Sequence, residues 1–368
     1  MSKELCRWGF LGTAGIARKN WQAVKNAGNA TLAAVASRSA ERAQAYIDEN
    51  QAQVPHDPAP QAVGGYDELI KSDLVDAVYI PLPTGLRKDF VLAAAEAGKH
   101  VLCEKPCGID PASVKEMIDA CSANGVQFMD GVMFMHSLRM PALKSFLLDE
   151  ERFGEMRRIA TQFSFLAGGD FKKENIRVHS ELEPFGSLGD LGWYNIRFAL
   201  WAMDYVMPDR VTGRLISQQG RPDSPDSVPI DFSGELLWNN GVTASFFCSF
   251  DAEHQQWAHV SGTGGSVRID DFVLPYHGAE VNFHTSHPHF ETDLCQFHME
   301  EHTERVAVRE YSDSHPTSQE TLLFRNFSKI VNSGNLDSHW PSIALQTQTV
   351  LNACLDSARD GGREITLV

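Results

Sequence analysis

The 368-residue chain lacks any uninterrupted apolar run of the roughly 18 residues that a membrane helix needs, so no span is expected. Its first apolar stretch, residues 5–11, is too early and too short for the core of a secretion signal, and it leads into a glycine-rich turn instead of a cleavage site. A cytoplasmic protein is the expectation. Basic charge is scarce: 32 Lys and Arg against 48 Asp and Glu leave a formal charge of −16, the wrong sign for a protein that tracks a nucleic-acid backbone. There is no long block of one sign and no internal repeat. The seven cysteines (6, 103, 107, 121, 248, 295 and 354) are odd in number, widely spaced and without a CxxC pair. That excludes a disulfide framework, a zinc ribbon and a thioredoxin-like redox pair, and leaves reduced, mostly buried thiols. Neither nucleic acid nor membrane is an expected partner.

What is present is an ordinary globular composition, 43% apolar and 22% charged, over a length that one hydrophobic core rarely serves; two domains are therefore expected. Up to about residue 130, short apolar runs at 7–11, 31–36, 77–81, 100–103 and 126–129 alternate with segments of helical period at 16–27, 40–49, 87–97 and 111–124. Asp110-Pro111 has the form of a helix cap followed by proline at the first helical position, and Gly98 the form of a C-terminal stop. Strands alternating with helices predict a parallel sheet covered on both faces. Beyond residue 130 the pattern changes to longer strands at 157–165, 230–238, 242–250 and 258–269, with turns such as Asn239-Asn240-Gly241 and Gly262-Thr263-Gly264-Gly265. Residues 187–203 and 317–332 read as helices, and 220–229 as an exposed loop. The expected fold is α/β: a dinucleotide-binding domain over 1–129 and an α+β domain over 130–368 with a large, mostly antiparallel open sheet.

The first strand ends in Gly9-Phe10-Leu11-Gly12-Thr13-Ala14-Gly15-Ile16-Ala17. Aligned to G-x-G-x-x-G/A, the three small positions are Gly12, Ala14 and Ala17. Gly12 permits a tight turn, a small residue at 14 lets a pyrophosphate approach the backbone, and Ala17 lets helix and strand pack closely. The position of this turn, after the first strand and before the first helix, is what gives a common pattern its weight. The second strand ends in Ser37 and Arg38, about 20 positions on, where an NAD site usually carries an acidic residue. A hydroxyl and a guanidinium suit a 2′-phosphate instead, so NADP is the expected cofactor, with NAD the alternative.

Three further stretches carry a family resemblance: Val78-Tyr79-Ile80-Pro81-Leu82-Pro83, Ala97-Gly98-Lys99-His100-Val101-Leu102-Cys103-Glu104-Lys105-Pro106, and Gly186-Ser187-Leu188-Gly189-Asp190-Leu191-Gly192-Trp193-Tyr194. With them the chain resembles the glucose–fructose oxidoreductase/inositol dehydrogenase (Gfo/Idh/MocA) family over essentially its whole length. Tyr194, together with Arg7-Trp8-Gly9-Phe10-Leu11-Gly12, looks most like the dihydrodiol and D-xylose dehydrogenase branch. The resemblance implies a Rossmann fold for the first domain. It implies a cofactor cradle formed by Gly12, Thr13, Ala14, Ile16, Ala17, Ser37, Arg38, Pro81, Leu82, Thr84, Glu104, Lys105 and Pro106. The catalytic set it implies is Lys105, Asp190 and Tyr194, with the Lys105–Pro106 peptide often cis. It further implies a sugar, polyol or cyclic diol as the small-molecule substrate, and a homodimer or homotetramer. Two departures fall where substrate is expected: Thr84 and Arg87 replace the common Asn and His, and residues 130–139 lack the usual Arg-x-His-Pro form.

The chemistry fits these residue types. Oxidising a carbinol requires a hydride acceptor and a base for the hydroxyl proton, held in register. A free tyrosine, with pKa about 10, is a poor base at neutral pH. A Lys105 ammonium beside Tyr194 would favour phenolate, a change of about 2–3 pKa units needing roughly 3–4 kcal/mol. Asp190 lies four positions before Tyr194, so on a helix both project from one face, where Asp190 could fix Lys105 or a substrate hydroxyl. A reductase working in the reverse direction uses the same groups. The competing expectation is a cofactor-binding regulator or scaffold without turnover; retention of Lys105, Asp190 and Tyr194 together favours the enzyme. His284, His287, His289, Cys295, His298 and His302 crowd a short stretch but show no metal-ligand spacing, so a solvated sheet edge is expected there and no metal.

Overall fold

The computed structural model describes residues 5–367. The described residues form two compact units: 5–137 with 181–184 and 311–349, and 138–180 with 185–310 and 350–367.

In the first unit, β1 (Cys6–Leu11), α1 (Gly15–Ala27), β2 (Ala30–Ser37), α2 (Ala40–Gln53), β3 (Gln61–Gly64), α3 (Tyr66–Lys71), β4 (Ala77–Ile80), α4 (Arg87–Glu96), β5 (His100–Cys103), α5 (Pro111–Ala123) and β6 (Phe128–Asp130) follow one another. The six strands are parallel, as the alternating pattern predicted, and run in the doubly wound order β3-β2-β1-β4-β5-β6. The cap at α5 is as the sequence has it: Asp110 accepts from the Ser113 N–H at 2.6 Å, Ser113 Oγ reciprocates toward the Asp110 N–H, and Pro111 opens the helix. Gly98 closes α4 with a φ of 71°. The strand β3 and helix α3 were not foreseen; they are only four and six residues long, and β3 is half-exposed.

The second unit opens with α6 (Arg139–Leu147), β7 (Met156–Ser164) and α7 (Gly169–Glu174). A π-helical turn over Leu188–Gly192 then leads into α8 (Trp193–Ala202). The strands β8 (Arg210–Gln219), β9 (Val228–Leu237), β10 (Thr243–Ser249), β11 (Gln255–Gly262), β12 (Ser266–Ile269), β13 (Val281–Ser286), β14 (His289–Asp293), β15 (Gln296–Glu300), β16 (Thr303–Val308) and β17 (Ile365–Thr366) complete its sheets. Nine strands pair as β16-β13-β12-β11-β7-β10-β9-β8-β17, antiparallel except for β7 against β10, while β14 and β15 form a separate hairpin. The single run expected over 258–269 is two strands, because Gly262-Thr263-Gly264-Gly265 turns the chain back on itself. At the edge of the unit's core, Arg139 is buried and pairs with the Asp271 carboxylate at 2.5 Å while also donating to the Asp271 carbonyl at 2.8 Å. Burying this guanidinium is tolerable because its charge faces a carboxylate and both terminal nitrogens donate.

Helix α9 (Gln319–Ser333) belongs to the first unit, and α10 (His339–Arg359) contains the division between the units. The sequence reading assigns everything after residue 129 to one C-terminal domain; the aromatic face of α9 is why the contacts divide differently. Phe324 meets the Trp8 ring at 4.9 Å and the Tyr79 ring at 5.9 Å, and Phe327 meets Trp8 at 4.9 Å. Trp8 Nε1 donates to Ser328 Oγ at 3.0 Å, so the buried indole keeps its hydrogen bond. Without α9, the β1 face bearing Trp8 and Phe10 would lose part of its cover.

Candidate active site

Every cofactor residue expected from the sequence lies in the first unit, in the turns that leave the carboxyl ends of β1, β2, β4 and β5. The order of the sheet reverses between β1 and β4, and that switch point is where open α/β sheets accept ligands. Gly12 has a φ of 127°, a conformation costly for any side chain, and its N–H donates to the Ala36 carbonyl at 3.0 Å. Ala14 stands in extended backbone just before α1 with no side-chain cap, and the first turn of α1 carries no acidic residue. The opening N–H groups of a 13-residue helix are thus not capped by a side chain, a setting that suits a phosphate. Ala17 is buried, as close helix–strand packing requires, and Ile16 is exposed beside it.

At the end of β2, Ser37 is buried and Arg38 is exposed. Arg42, which the sequence reading passed over, is brought to the same place. Ser39 caps α2 by accepting from the Arg42 N–H at 3.3 Å, and Arg42 Nε donates to Thr13 Oγ1 at 3.4 Å. Two arginines therefore stand at the β2 end, and the Arg42 guanidinium is tied to the glycine-rich turn. The missed signal was the spacing: Arg42 sits in the first turn of α2, four positions after Arg38.

At the ends of β4 and β5 the polypeptide is pinned from two sides. Tyr79 is buried, and its hydroxyl donates to Glu104 Oε1 at 2.6 Å; Glu104 Oε2 accepts from the Lys105 N–H at 3.2 Å. Burial, and then the neighbouring Glu104 carboxylate, push the Tyr79 phenol well above its ordinary pKa, so it remains a donor. The Lys105–Pro106 peptide is cis. On the other side lies Arg87, only 4% exposed. Its Nε donates to the Leu82 carbonyl at 2.6 Å, and its Nη1 donates to Thr84 Oγ1 and the Glu104 carbonyl, both at 3.0 Å, and to the Pro106 carbonyl. Arg87 was expected in a substrate-facing region; its guanidinium is instead occupied by the backbone around Lys105. Pro81, Leu82 and Thr84 are all buried in this corner.

Asp190 and Tyr194 lie in the second unit. Asp190 belongs to the π-helical turn and Tyr194 to the first turn of α8, so the expected uniform helix over 187–203 is widened where Asp190 projects. Asp190 Oδ2 accepts from Arg177 Nε at 2.7 Å. The Tyr194 ring meets Phe163 edge-on with centroids 5.7 Å apart, and Phe163 in turn meets His254. Arg177 carried no sequence signal, because it reaches Asp190 from a separate 3₁₀ turn, Ile176–Val178.

The histidine-rich stretch divides between β13 and the β14–β15 hairpin. Among the described residues, no group of three or more His, Cys, Asp or Glu is arranged to hold a metal ion. Among the described residues no disulfide occurs; six of the cysteines are buried and Cys295 is exposed. No described helix is long and apolar enough to cross a membrane.

A doubly wound sheet with a glycine turn at its switch point and a lysine fixed at the end of the neighbouring strand is the frame of a dinucleotide-dependent oxidoreductase. Residues 6–132 match the family model described as oxidoreductase family, NAD-binding Rossmann fold, and residues 145–268 match the GFO/IDH/MocA C-terminal domain. The chain belongs to the Gfo/Idh/MocA oxidoreductase family. It is 35% identical over 283 residues to D-xylose 1-dehydrogenase (NADP(+)) 2 of Haloferax volcanii, covering 76% of this chain and 80% of that protein. It is 29% identical over 272 residues to trans-1,2-dihydrobenzene-1,2-diol dehydrogenase of Mus musculus, covering 73% of this chain and 76% of that protein. Among solved structures it is similar to a 3-ketoreductase from Actinomadura kijaniata in complex with NADP and TDP-benzene. That match has a TM-score of 0.79 at 24% identity over 96% of this chain and 98% of the other, a likeness of fold.

Proposed function

We propose that this oxidoreductase uses NADP(H) and interconverts a carbinol and a carbonyl on a sugar, polyol or cyclic diol. The observation that carries the reading is the pair Arg38 and Arg42 at the end of β2, with Arg42 tied to Thr13 of the glycine-rich turn. Two cations and a hydroxyl cap at that position suit a 2′-phosphate, and no acidic side chain stands at 37 or 38 to hold a free ribose diol. The names of the relatives, a D-xylose dehydrogenase using NADP(+) and a dihydrobenzenediol dehydrogenase, support the same cofactor and substrate class.

Bound there, the nicotinamide would supply or accept the hydride. The chain's own task is to position the carbon and move the hydroxyl proton. In the proposal Tyr194 is the acid/base: its phenolate takes the proton from the carbinol during oxidation, and its phenol returns one to the carbonyl oxygen during reduction. The Lys105 ammonium favours the phenolate, and Asp190 shares the helix face with Tyr194. A homo-oligomer is part of the same reading.

The test is nicotinamide absorbance with NADP or NADPH and a panel of aldoses, polyols, diols and their carbonyl forms, on the full chain and on Tyr194→Phe. Turnover by the full chain and its loss in the variant, with NADPH still bound, is the expected result. NADPH binding without turnover on any member of the panel would favour a cofactor-binding regulator instead.

A further inference from the structure

Residues 181–184 form a short strap that belongs to the first unit although the chain on both sides of it belongs to the second. The strap lies against the turn after β4. The Gly85 N–H donates to the Leu182 carbonyl at 3.0 Å, and a methyl group on Gly85 would stand 2.0 Å from the Glu181 carbonyl oxygen. Glu183 projects from the strap onto Thr84: its Oε1 accepts from the Thr84 N–H at 3.1 Å and its Oε2 from the Thr84 hydroxyl at 2.5 Å. Arg87 Nη2 stands 3.8 Å from Glu183 Oε1.

The direction of the hydroxyl proton gives this arrangement its consequence. Thr84 has one hydroxyl hydrogen, and the Glu183 carboxylate, an acceptor without hydrogens when ionised, draws it. The oxygen's lone pairs then face Arg87 Nη1, which donates to it at 3.0 Å. That contact helps to fix the plane of a guanidinium whose remaining bonds go to the carbonyls of Leu82, Glu104 and Pro106. Two of those carbonyls flank Lys105 directly. A planar fork is useful here because its donors diverge at fixed angles, so orienting one N–H orients the rest.

We infer that Glu183 is a positioning residue for Lys105, acting through Thr84 and the Arg87 guanidinium to fix the backbone on both sides of the lysine. The inference rests on the proposed role of Lys105, and it assigns Arg87 to the same work. In Glu183→Gln the amide NH₂ would donate to the Thr84 oxygen, turn its hydrogen away and compete with Arg87. Arg87→Lys keeps a charge but loses the fork.

Two measurements on the full chain test it. Hydrogen–deuterium exchange of the backbone around 103–108 should quicken in Glu183→Gln and in Arg87→Lys, with the exchange of α5 unchanged. In steady state at saturating NADPH, kcat should fall about tenfold in each variant, while KM for the second substrate stays within about twofold. The double variant should lose little more than either single one, since both act on one device. Unchanged exchange around 103–108 in Glu183→Gln, or kcat losses that multiply in the double variant, would overturn the inference. If the wild-type chain turns over no substrate at all, it is the oxidoreductase reading that falls, and the exchange measurement alone decides the clamp.

Discussion

Asp190 Oδ2 accepts from Arg177 Nε at 2.7 Å, so the carboxylate one turn before Tyr194 is neutralised by a cation from its own unit. In the proposed mechanism an unpaired carboxylate there would oppose formation of the Tyr194 phenolate, since like charges disfavour each other's ionisation. Arg177→Met should therefore lower kcat for oxidation at neutral pH by about tenfold, because the lost compensation raises the cost of the phenolate. Because the Arg177 side chain is 41% exposed, unfolding free energy should change by less than about 1 kcal/mol. Urea unfolding and steady-state kinetics on the same preparation separate the two effects.

The cations at the end of β2 make a specificity prediction. Arg38→Ala and Arg42→Ala should each raise KM for NADP by about tenfold or more, the scale of one lost charge-assisted pair, and leave KM for NAD little changed. Arg42→Ala also releases Thr13, so its effect on NADP should be no smaller than that of Arg38→Ala. Equal effects on the two cofactors would contradict a 2′-phosphate site.

Gly85→Ala tests the strap directly. The Glu181 carbonyl is backbone and cannot rotate out of the way of a new methyl group. The substitution should cost about 1–3 kcal/mol, as overpacking does, or displace residues 181–184. A lowered thermal midpoint together with faster exchange at 181–184 is the expected outcome.

A pH dependence follows from His56. Burial disfavours its charged form; the hydrogen bond to the Trp21 carbonyl, 3.1 Å from Nε2, offsets this only in part, and the pKa lies below its ordinary value. The unfolded chain therefore binds the proton first as pH drops. Stability should fall as pH moves down through about 6.5, the unfolded value, toward the lower folded one. Thermal midpoints measured across that window should drop less steeply in His56→Gln than in the wild type.

Phe324 supplies the α9 side of the contact with Trp8 and Tyr79. Phe324→Ala should cost about 3–5 kcal/mol, since it removes a ring and leaves a cavity behind a close-packed sheet. Denaturant titration followed by tryptophan fluorescence would register the loss at Trp8.

The parts of this molecule that the sequence displayed are those specified locally. The turn at Gly12 and the cap at Asp110-Pro111 each announce themselves within a few residues, because a backbone conformation or a cap demands particular neighbours, whereas Glu104-Lys105-Pro106 was legible only through the family resemblance. The parallel sheet followed from the alternation of periods. What stayed hidden was made by distant partners. Glu183 reaches Thr84 across 99 positions, Arg177 meets Asp190 from a separate 3₁₀ turn, and α9 joins the first unit through aromatic contacts that no window contains. Arg87 is instructive in another way. A charged residue near a binding region suggests a surface role, and only its burial among carbonyls shows that the charge is directed at the chain itself. The histidine-rich stretch was expected as a solvated sheet edge; the separate strands of the β14–β15 hairpin were not delimited because their alternation is carried by His, Glu and Asp against a few apolar residues, a weak strand signal.

The bond between the Trp8 indole and Ser328 spans 320 positions of the chain. A ribosome delivers Trp8 early and α9 late, so the nucleotide-binding half must wait, incompletely closed, while most of the second unit, up to residue 310, is being made. A truncated fragment ending near residue 137 should accordingly emerge sticky and depend on chaperones, and supplying α9 as a separate peptide should rescue it.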